Sequence, residues 1–363
     1  MSDVLSNGLP WLVVAGRHVV GAASRQPVLL RGVNRSGLEY AEPNGQGFLE
    51  TARVSESEID YMVHDWGANI IRIPFNQDWA LKGRGGFSAS AYLEAIDQVI
   101  FWASRAGAYT LLDLQWLDAD VVRGQNPDGS YNRVPSLPTT DSILVWRVLA
   151  QRYRAEPAVL FDVFNEPHDP LPDDLTALEG VRDDGSTFPL TRRRVTMAEW
   201  QPWARQLVHA IRGEHAQSLV FVSGVTWGYD LREMPLTIAS GSRAAFPNIV
   251  YSTHVYPWAA PTATRRRPSR FAKHSTLSWS EAFGRLSRSA PVFVSEWGGG
   301  TQHVSWGETL ARYARRLGIG WTAWSWSDRP RLVVDAQAQR YEPTDFGQVV
   351  RRSLIAVNKT VPL

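Results

Sequence analysis

Apolar residues in this chain fall in short β-branched runs separated by longer stretches with helical spacing. The first pattern, WLVVAGRHVVGAASRQPVLLRGV, alternates and turns at Ala15-Gly16 and near Ser24, which predicts a hairpin leading into a strand near 28–33. Similar runs recur at ANIIRIPF (68–75), AYTLLDLQ (108–115), AVLFDVFN (158–165), SLVFVSG (218–224), NIVYSTHVY (248–256), PVFVSEW (291–297) and GWTAWSWS (320–327). With the first, these make eight predicted strands.

Between them the apolar period lengthens. Ser55 and Glu58 form a capping-box signature ahead of Ile59, Met62, Val63 and Trp66, with Gly67 as the stop. Tyr92, Leu93, Ile96, Val99, Ile100 and Ala103 predict a helix between Ser88 and Gly107. Further helices are predicted near 141–154, 197–212, 279–288, 305–317 and 345–357, while the stretch after the fifth strand carries no clear pattern.

Loop lengths separate an open sheet from a closed one. Helix-to-strand links near Gly67, Gly107, Pro157 and Ser289 are short, whereas the strand-to-helix links after strands three, four, six and eight each run roughly 15 to 30 residues. Long loops gathered at the C-terminal ends of eight parallel strands predict an α/β fold, a (β/α)8 TIM barrel with a short N-terminal β-hairpin and its site at the loop-bearing face. No repeat, low-complexity tract or linker interrupts the pattern, so residues 1–363 read as a single domain.

Composition narrows the function classes. With 38 basic against 36 acidic residues the chain has no global field for nucleic acid or an anionic membrane. The local clusters Arg192 to Arg194 and Arg265 to Arg267 read as solvated surface loops. No cysteine is present, which removes disulfides, thiol nucleophiles and thiolate metal sites. No apolar run approaches the ~20 residues needed to span a bilayer. The segment MSDVLSNGLPWLVV shows no basic region followed by an apolar stretch and a cleavage site. Localisation therefore stays open between the cytoplasm and secretion with the signal absent from this chain. The chain is expected to act as a monomer.

Polar side chains cluster where the predicted strands end: Arg72, Asp113 and Gln115, Asn165 and Glu166, His254 and Tyr256, Glu296, and Trp324 with Trp326. In a barrel these ends converge on one cleft. Two glutamates that emerge from buried apolar runs suit glycosidic-bond hydrolysis, in which one carboxyl protonates the leaving oxygen and the other attacks or activates water. A general acid must keep its proton near neutral pH, and Glu296 as an anion would supply the charge that holds the proton on Glu166. Arg72 and Tyr256 are placed to hold Glu296 ionised, and Asn165 to bind the hydroxyl beside the reacting carbon. His254 either tunes the acid or is simply a satisfied polar residue at a strand end.

The ordered set of Asn165-Glu166-Pro167 on strand four, His254 and Tyr256 on strand six, Glu296 on strand seven, Arg72 on strand two and Trp324 on strand eight resembles glycoside hydrolase family 5, the cellulase-type clan-A barrels, over nearly the whole chain. The resemblance implies a retaining double displacement with Glu166 as acid/base and Glu296 as nucleophile, without a cofactor or catalytic metal. It implies a β-linked polysaccharide or oligosaccharide as substrate. An endo-β-1,4-glucanase is expected first, with β-mannanase, xylanase or another β-glycosidase of the family as alternatives. A non-catalytic carbohydrate-binding barrel is the remote one.

One position departs from the family pattern. Gln115 stands where the family usually has a histidine, at the end of strand three against the sugar preceding the cleaved bond. Trp324 resembles the platform under that same sugar. Trp116, Trp258 and Trp297 lie near other strand ends, and Trp79, Tyr40 and Trp227 are weaker candidates, each open to a cleft or a packing role. His168 and Asp169 adjoin Glu166 without metal-ligand spacing, and the glycines at 298–300 lack the continuation of a phosphate loop.

Overall fold

The computed structural model describes residues 8–117, 136–169, 179–189, 195–242, 244–258 and 277–358. A hairpin of β1 (Leu12–Ala15) and β2 (His18–Gly21) precedes the barrel strands β3 (Arg31–Asn34), β4 (Ile70–Asn76), β5 (Tyr109–Trp116) and β6 (Val159–Asp162). After a small hairpin, β7 (Glu179–Val181) with β8 (Thr187–Pro189), the barrel resumes with β9 (Val220–Ser223), β10 (Ile249–Val255), β11 (Val292–Trp297) and β12 (Gly320–Ala323). A last hairpin pairs β13 (Val333–Asp335) with β14 (Arg340–Pro343). The barrel is closed, in the order β10-β11-β12-β3-β4-β5-β6-β9, and its pairings are parallel.

Helices α1 (Phe48–Ala52), α2 (Glu56–His64), α3 (Gln77–Lys82), α4 (Ala89–Ala106), α5 (Thr140–Tyr153), α6 (Met197–Gly213), α7 (Val304–Leu317) and α8 (Asp345–Asn358) lie in the connections. The strands and most helices sit within a few residues of their predicted places. Two connections differ. Among the described residues no helix joins β9 to β10, and residues 224–248 are instead held by isolated bridges such as Val225 with Asp230 and Thr237 with Ala245. The helix expected near 279–288 is a wide turn over Ser280–Gly284 followed by a tight one over Leu286–Arg288. The capping signature of α2 is half used. Ser55 accepts from the Glu58 amide at 3.3 Å, but the Glu58 carboxylate turns to Arg35 at 2.7 Å.

Arg192 to Arg194, Arg265 to Arg267 and much of the long loops after β5, β6 and β10 lie outside the described residues. No described helix is long and apolar enough to cross a membrane.

Alternation along the strands fills the barrel in layers. Ile70, Leu111, Leu160, Phe221, Val250 and Phe293 form an apolar plug in its lower interior, together with Leu30 and Leu12 of the hairpin segment. Two residues further along the same strands, on the same face, stand Arg72, Asp113, Asp162, Ser223, Ser252 and Ser295, all buried. Each fully buried aliphatic or phenyl side chain contributes roughly 1.5–3 kcal/mol, so the lower layer is a rigid floor for the polar layer above it.

Candidate active site

The polar layer is organised by Arg72, which is fully buried on β4. Its guanidinium donates to Asp162 at 3.0 Å, Asn34 at 2.9 Å, Glu296 at 2.8 Å and Asn165 at 2.9 Å, and pairs with Asp113 at 2.9 Å. One cation among three buried carboxylates leaves excess negative charge, which the site relieves by holding protons. Burial first, then the neighbouring acids, raise Asp113 well above its ordinary value against the pull of Arg72. Asp162 is pushed up to about 6 mainly by burial. Arg72 itself stays charged, because Asp113, Asp162 and Glu296 outweigh the cost of burying it.

Glu296 is the penultimate residue of β11, and its position depends on a bulge. Thr253 faces Val294 and His254 faces Glu296 across β10 and β11, so Ser295 is the extra residue. Its carbonyl accepts from Asn34 at 2.9 Å and Thr322 at 2.6 Å, and its hydroxyl bonds Ser252. That anchoring aims the Glu296 carboxylate at Arg72 and Tyr256, the latter donating at 2.8 Å.

Glu166 lies beyond the end of β6, on chain held by buried groups from neighbouring elements. The indole of Trp146 donates to the Val163 carbonyl at 2.8 Å, and Ser223 lies 2.9 Å from the carbonyls of Phe164 and Asn165. Trp200 in turn fixes the Ser223 carbonyl at 2.7 Å. The Glu166 carboxyl meets His254 Nδ1 at 2.7 Å. Burial pushes Glu166 up to about 8, with Arg72 acting in the opposite sense. Burial also pushes His254 down to about 4, so the imidazole is neutral at pH 7 and serves the acid as a hydrogen-bond partner without charge. Gly228 makes room for it. A Cβ there would meet the His254 ring at 3.2 Å, and its φ of +72° already favours glycine. Beside it Thr226 and Trp227 hold left-handed backbone, which sets the Trp227 indole against His168 with centroids 3.6 Å apart.

Carboxylate oxygens of Glu166 and Glu296 and a nitrogen of His254 lie within 4.8 Å of one another. The triad has the donor types of a cation site. Arg72, 2.8 Å from the same Glu296 carboxylate, already supplies the positive charge and opposes a divalent ion.

Every residue expected at the strand ends is found in this layer or at its rim, with two exceptions among the tryptophans. Trp297 is 1 % exposed and packs on Trp321 and Phe346, outside the barrel wall, so it lines no subsite. Trp326 is buried against Trp66, Tyr61 and Tyr341. Among the weaker candidates, Trp79 is core, packed on Phe48 and Tyr92. Trp116 is half-buried beside Tyr40, with centroids 5.8 Å apart. Trp258 is 39 % exposed and stacks on Tyr256 at 4.7 Å. Trp324 is half-buried, its indole donating to the Arg329 carbonyl at 3.2 Å. Gln115 is the unpaired residue of a second bulge, between Leu114 and Trp116, and its buried Oε1 has no partner among the described residues.

Asn34, Asp162, Ser223 and Ser295 were missed. Asp162 and Asn34 were within reach, since a carboxylate inside the apolar run AVLFDVF and an asparagine ending the first barrel strand obey the same alternation as Arg72.

The family model for cellulase, glycosyl hydrolase family 5, matches residues 22–330. Endoglucanase N of Pectobacterium atrosepticum is 21% identical over 308 residues, covering 83% of this chain and 54% of its own length. An endoglucanase of Microbulbifer is 25% identical over 321 residues, covering 86% and 51%. The chain thus spans about half the length of these curated relatives. A β-glucanase of Saccharophagus degradans, solved in complex with cellotetraose, has the same fold with a TM-score of 0.69, 21% identity and coverage of 98% of this chain and 96% of its own.

Proposed function

Because the chain belongs to the cellulase family, glycosyl hydrolase family 5, we propose that it is a retaining endo-β-1,4-glucanase whose residues 1–363 form one catalytic barrel. The observation that carries the mechanism is the Glu166–Glu296 pair, with oxygens within 4.8 Å and opposite surroundings. Retaining glycosidases hold their carboxyls ~5–5.5 Å apart, whereas inverting enzymes leave ~6.5–9.5 Å for a water. The spacing supports retention.

In the first step the Glu296 carboxylate attacks the anomeric carbon from one face, and Glu166 gives its proton to the departing glycosidic oxygen. The products are a glycosyl ester on Glu296 and a shortened glucan with a free hydroxyl. In the second step the Glu166 carboxylate takes a proton from water, and the resulting hydroxide equivalent displaces Glu296 from the same carbon. Two inversions restore the β configuration. Arg72 and Tyr256 stabilise Glu296 as the anion that attacks and leaves. His254 orients the Glu166 carboxyl. Asn165 spends its Oδ1 on Arg72, and its buried Nδ2, which has no partner among the described residues, is the donor left for the sugar hydroxyl beside the reacting carbon.

β-1,4-Glucan is the favoured substrate because the similar proteins include endoglucanases and a β-glucanase solved with cellotetraose. Trp324, Trp116 and Trp258, each partly exposed at or just beyond the end of a barrel strand, offer ring faces for pyranose stacking. The test is a panel of carboxymethylcellulose, mixed-linkage glucan, mannan and xylan, with viscosity and reducing ends followed together. A rapid fall in viscosity on the glucans is expected. Cleavage of mannan or xylan alone would keep the chemistry and reject the substrate. The anomer released first, read by NMR, must be β, and an α product refutes retention. Glu296→Ala must lose roughly 10⁴-fold or more in turnover. Equal turnover by that variant would refute the assigned nucleophile.

A further inference from the structure

Arg31 opens β3 at the end of the barrel opposite the cleft, and its side chain lies against the barrel wall between α7 and α8. It is only 5 % exposed. Among the described residues its buried Nε has no hydrogen-bond partner and no carboxylate pairs with its guanidinium. The Trp321 ring, 6.0 Å away, offers a cation–π contact that does not neutralise it. A buried cation without a counter-charge is costly, and proteins ordinarily supply a partner. Burial and the neighbouring Arg315 together push Arg31 down to about 10, the response of a cation that lacks an anion.

The surroundings add positive charge instead of balancing it. Arg312 and Arg315 project from one face of α7, and Arg352 from α8, into a cavity of about 280 Å³ floored by Arg31 and Trp321. Among the described residues the one carboxylate lining it, Glu308, is engaged by Arg352 at 3.2 Å. Ala311, one turn from Arg315, keeps the space between the helices open. Four guanidiniums, one of them buried and unpaired, thus share a single occupied carboxylate.

We propose that this cavity binds a tetrahedral oxyanion, free phosphate or the phosphate of a small ester, with Arg31 as its buried anchor and Arg312, Arg315 and Arg352 closing on its outer oxygens. Planar guanidinium forks match such oxygens in pairs, and α7 and α8 are joined through the bound anion. The site stands at the other end of the barrel from Glu166 and Glu296, so it does not rest on the hydrolytic reading.

Thermal unfolding in phosphate-free, low-salt buffer tests it, with phosphate, sulfate, glycerol phosphate, succinate and chloride titrated at matched ionic strength. Phosphate and sulfate should raise Tm saturably, by about 2 °C at ten times Kd for a chain of this size, while chloride does not. A stronger response to glycerol phosphate identifies an ester as the occupant. Arg31→Met should unfold no lower than wild type without phosphate, because an unpaired buried charge is gone, and should lose the saturable response. Arg315→Gln, on the exposed helix surface, should weaken the response several-fold with basal turnover unchanged. An equal response to chloride or succinate, or an unchanged phosphate response in Arg31→Met or Arg315→Gln, overturns the site.

Discussion

Glu166→Gln separates what the proposed acid does from what it costs the fold. Glu166 holds its proton up to about 8 because burial disfavours the carboxylate, against an ordinary value of 4.5. The folded state therefore binds this proton more tightly than the unfolded chain. Its stabilising contribution is complete below pH 4.5 and is lost as the pH rises from 4.5 through about 8. At pH 7 the chain stands about 2.5 units into that interval, worth about 3 kcal/mol at roughly 1.4 kcal/mol per unit. Glutamine has no charge to desolvate and can still meet His254 Nδ1, now 2.7 Å from the carboxyl, so little of this gain is returned through that contact.

The variant should thus be more stable than wild type by about 2–3 kcal/mol at pH 7, which for this chain length raises Tm by roughly 3–4 °C. Near pH 5 the two proteins should differ by less than about 1 kcal/mol. His254, pushed down to about 4, is neutral in both at that pH and cancels from the comparison. Calorimetry of both proteins from pH 5 to 8.5 measures the difference directly. A stability difference that is independent of pH, or that grows toward acid, refutes the raised proton affinity of Glu166. The same variant should lose roughly 10²–10⁴-fold in turnover of glucan, and far less on aryl glycosides whose leaving group needs no proton.

Arg72→Lys should destabilise by about 3–5 kcal/mol in urea unfolding, because one ammonium cannot reach Asp162, Asn34, Glu296 and Asn165 together, and a change below about 1 kcal/mol would contradict the charge network. Tyr256→Phe removes one donor to the Glu296 carboxylate and should lower kcat/KM about 10–100-fold with Tm unchanged, as checked by steady-state kinetics beside a melting curve. Gln115→Ala should lower kcat/KM on glucan by up to about tenfold, since its partnerless Oε1 becomes bonded only when a sugar hydroxyl arrives, and unaltered kinetics would assign Gln115 to packing.

What the sequence disclosed follows from how strongly position constrains chemistry. Inside a parallel barrel the two-residue alternation decides which side chain enters, so a polar residue in an apolar run is legible as part of the interior. Arg72, Asp113 and Asp162 each stand two residues beyond an apolar plug residue, Ile70, Leu111 and Leu160. The same rule bears on Trp297. It directly follows Glu296 on β11, so once the bulge at Ser295 has turned the carboxylate inward the indole points outward, against Trp321 and Phe346, whereas the unbroken period from Phe293 would have reversed the two. Trp324 and Trp326 could not be separated in this way, because β12 ends at Ala323 and the alternation ends with it.

Other tryptophans were illegible for a different reason. An indole is equally at home in a core and under a sugar, and the sequence carries no sign of the bonds that Trp146 and Trp200 make to the Val163 and Ser223 carbonyls. Nine of the 16 tryptophans are fully buried, so their abundance is explained first by the fold. Trp146 and Trp200 act on the site at one remove, by holding the chain end on which Glu166 stands. The distinction between a packing residue and a functional one, sharp for Glu296, therefore fails for these two. Removing either indole leaves a buried carbonyl unbonded at the base of the proposed acid, so its loss should appear in turnover as well as in stability.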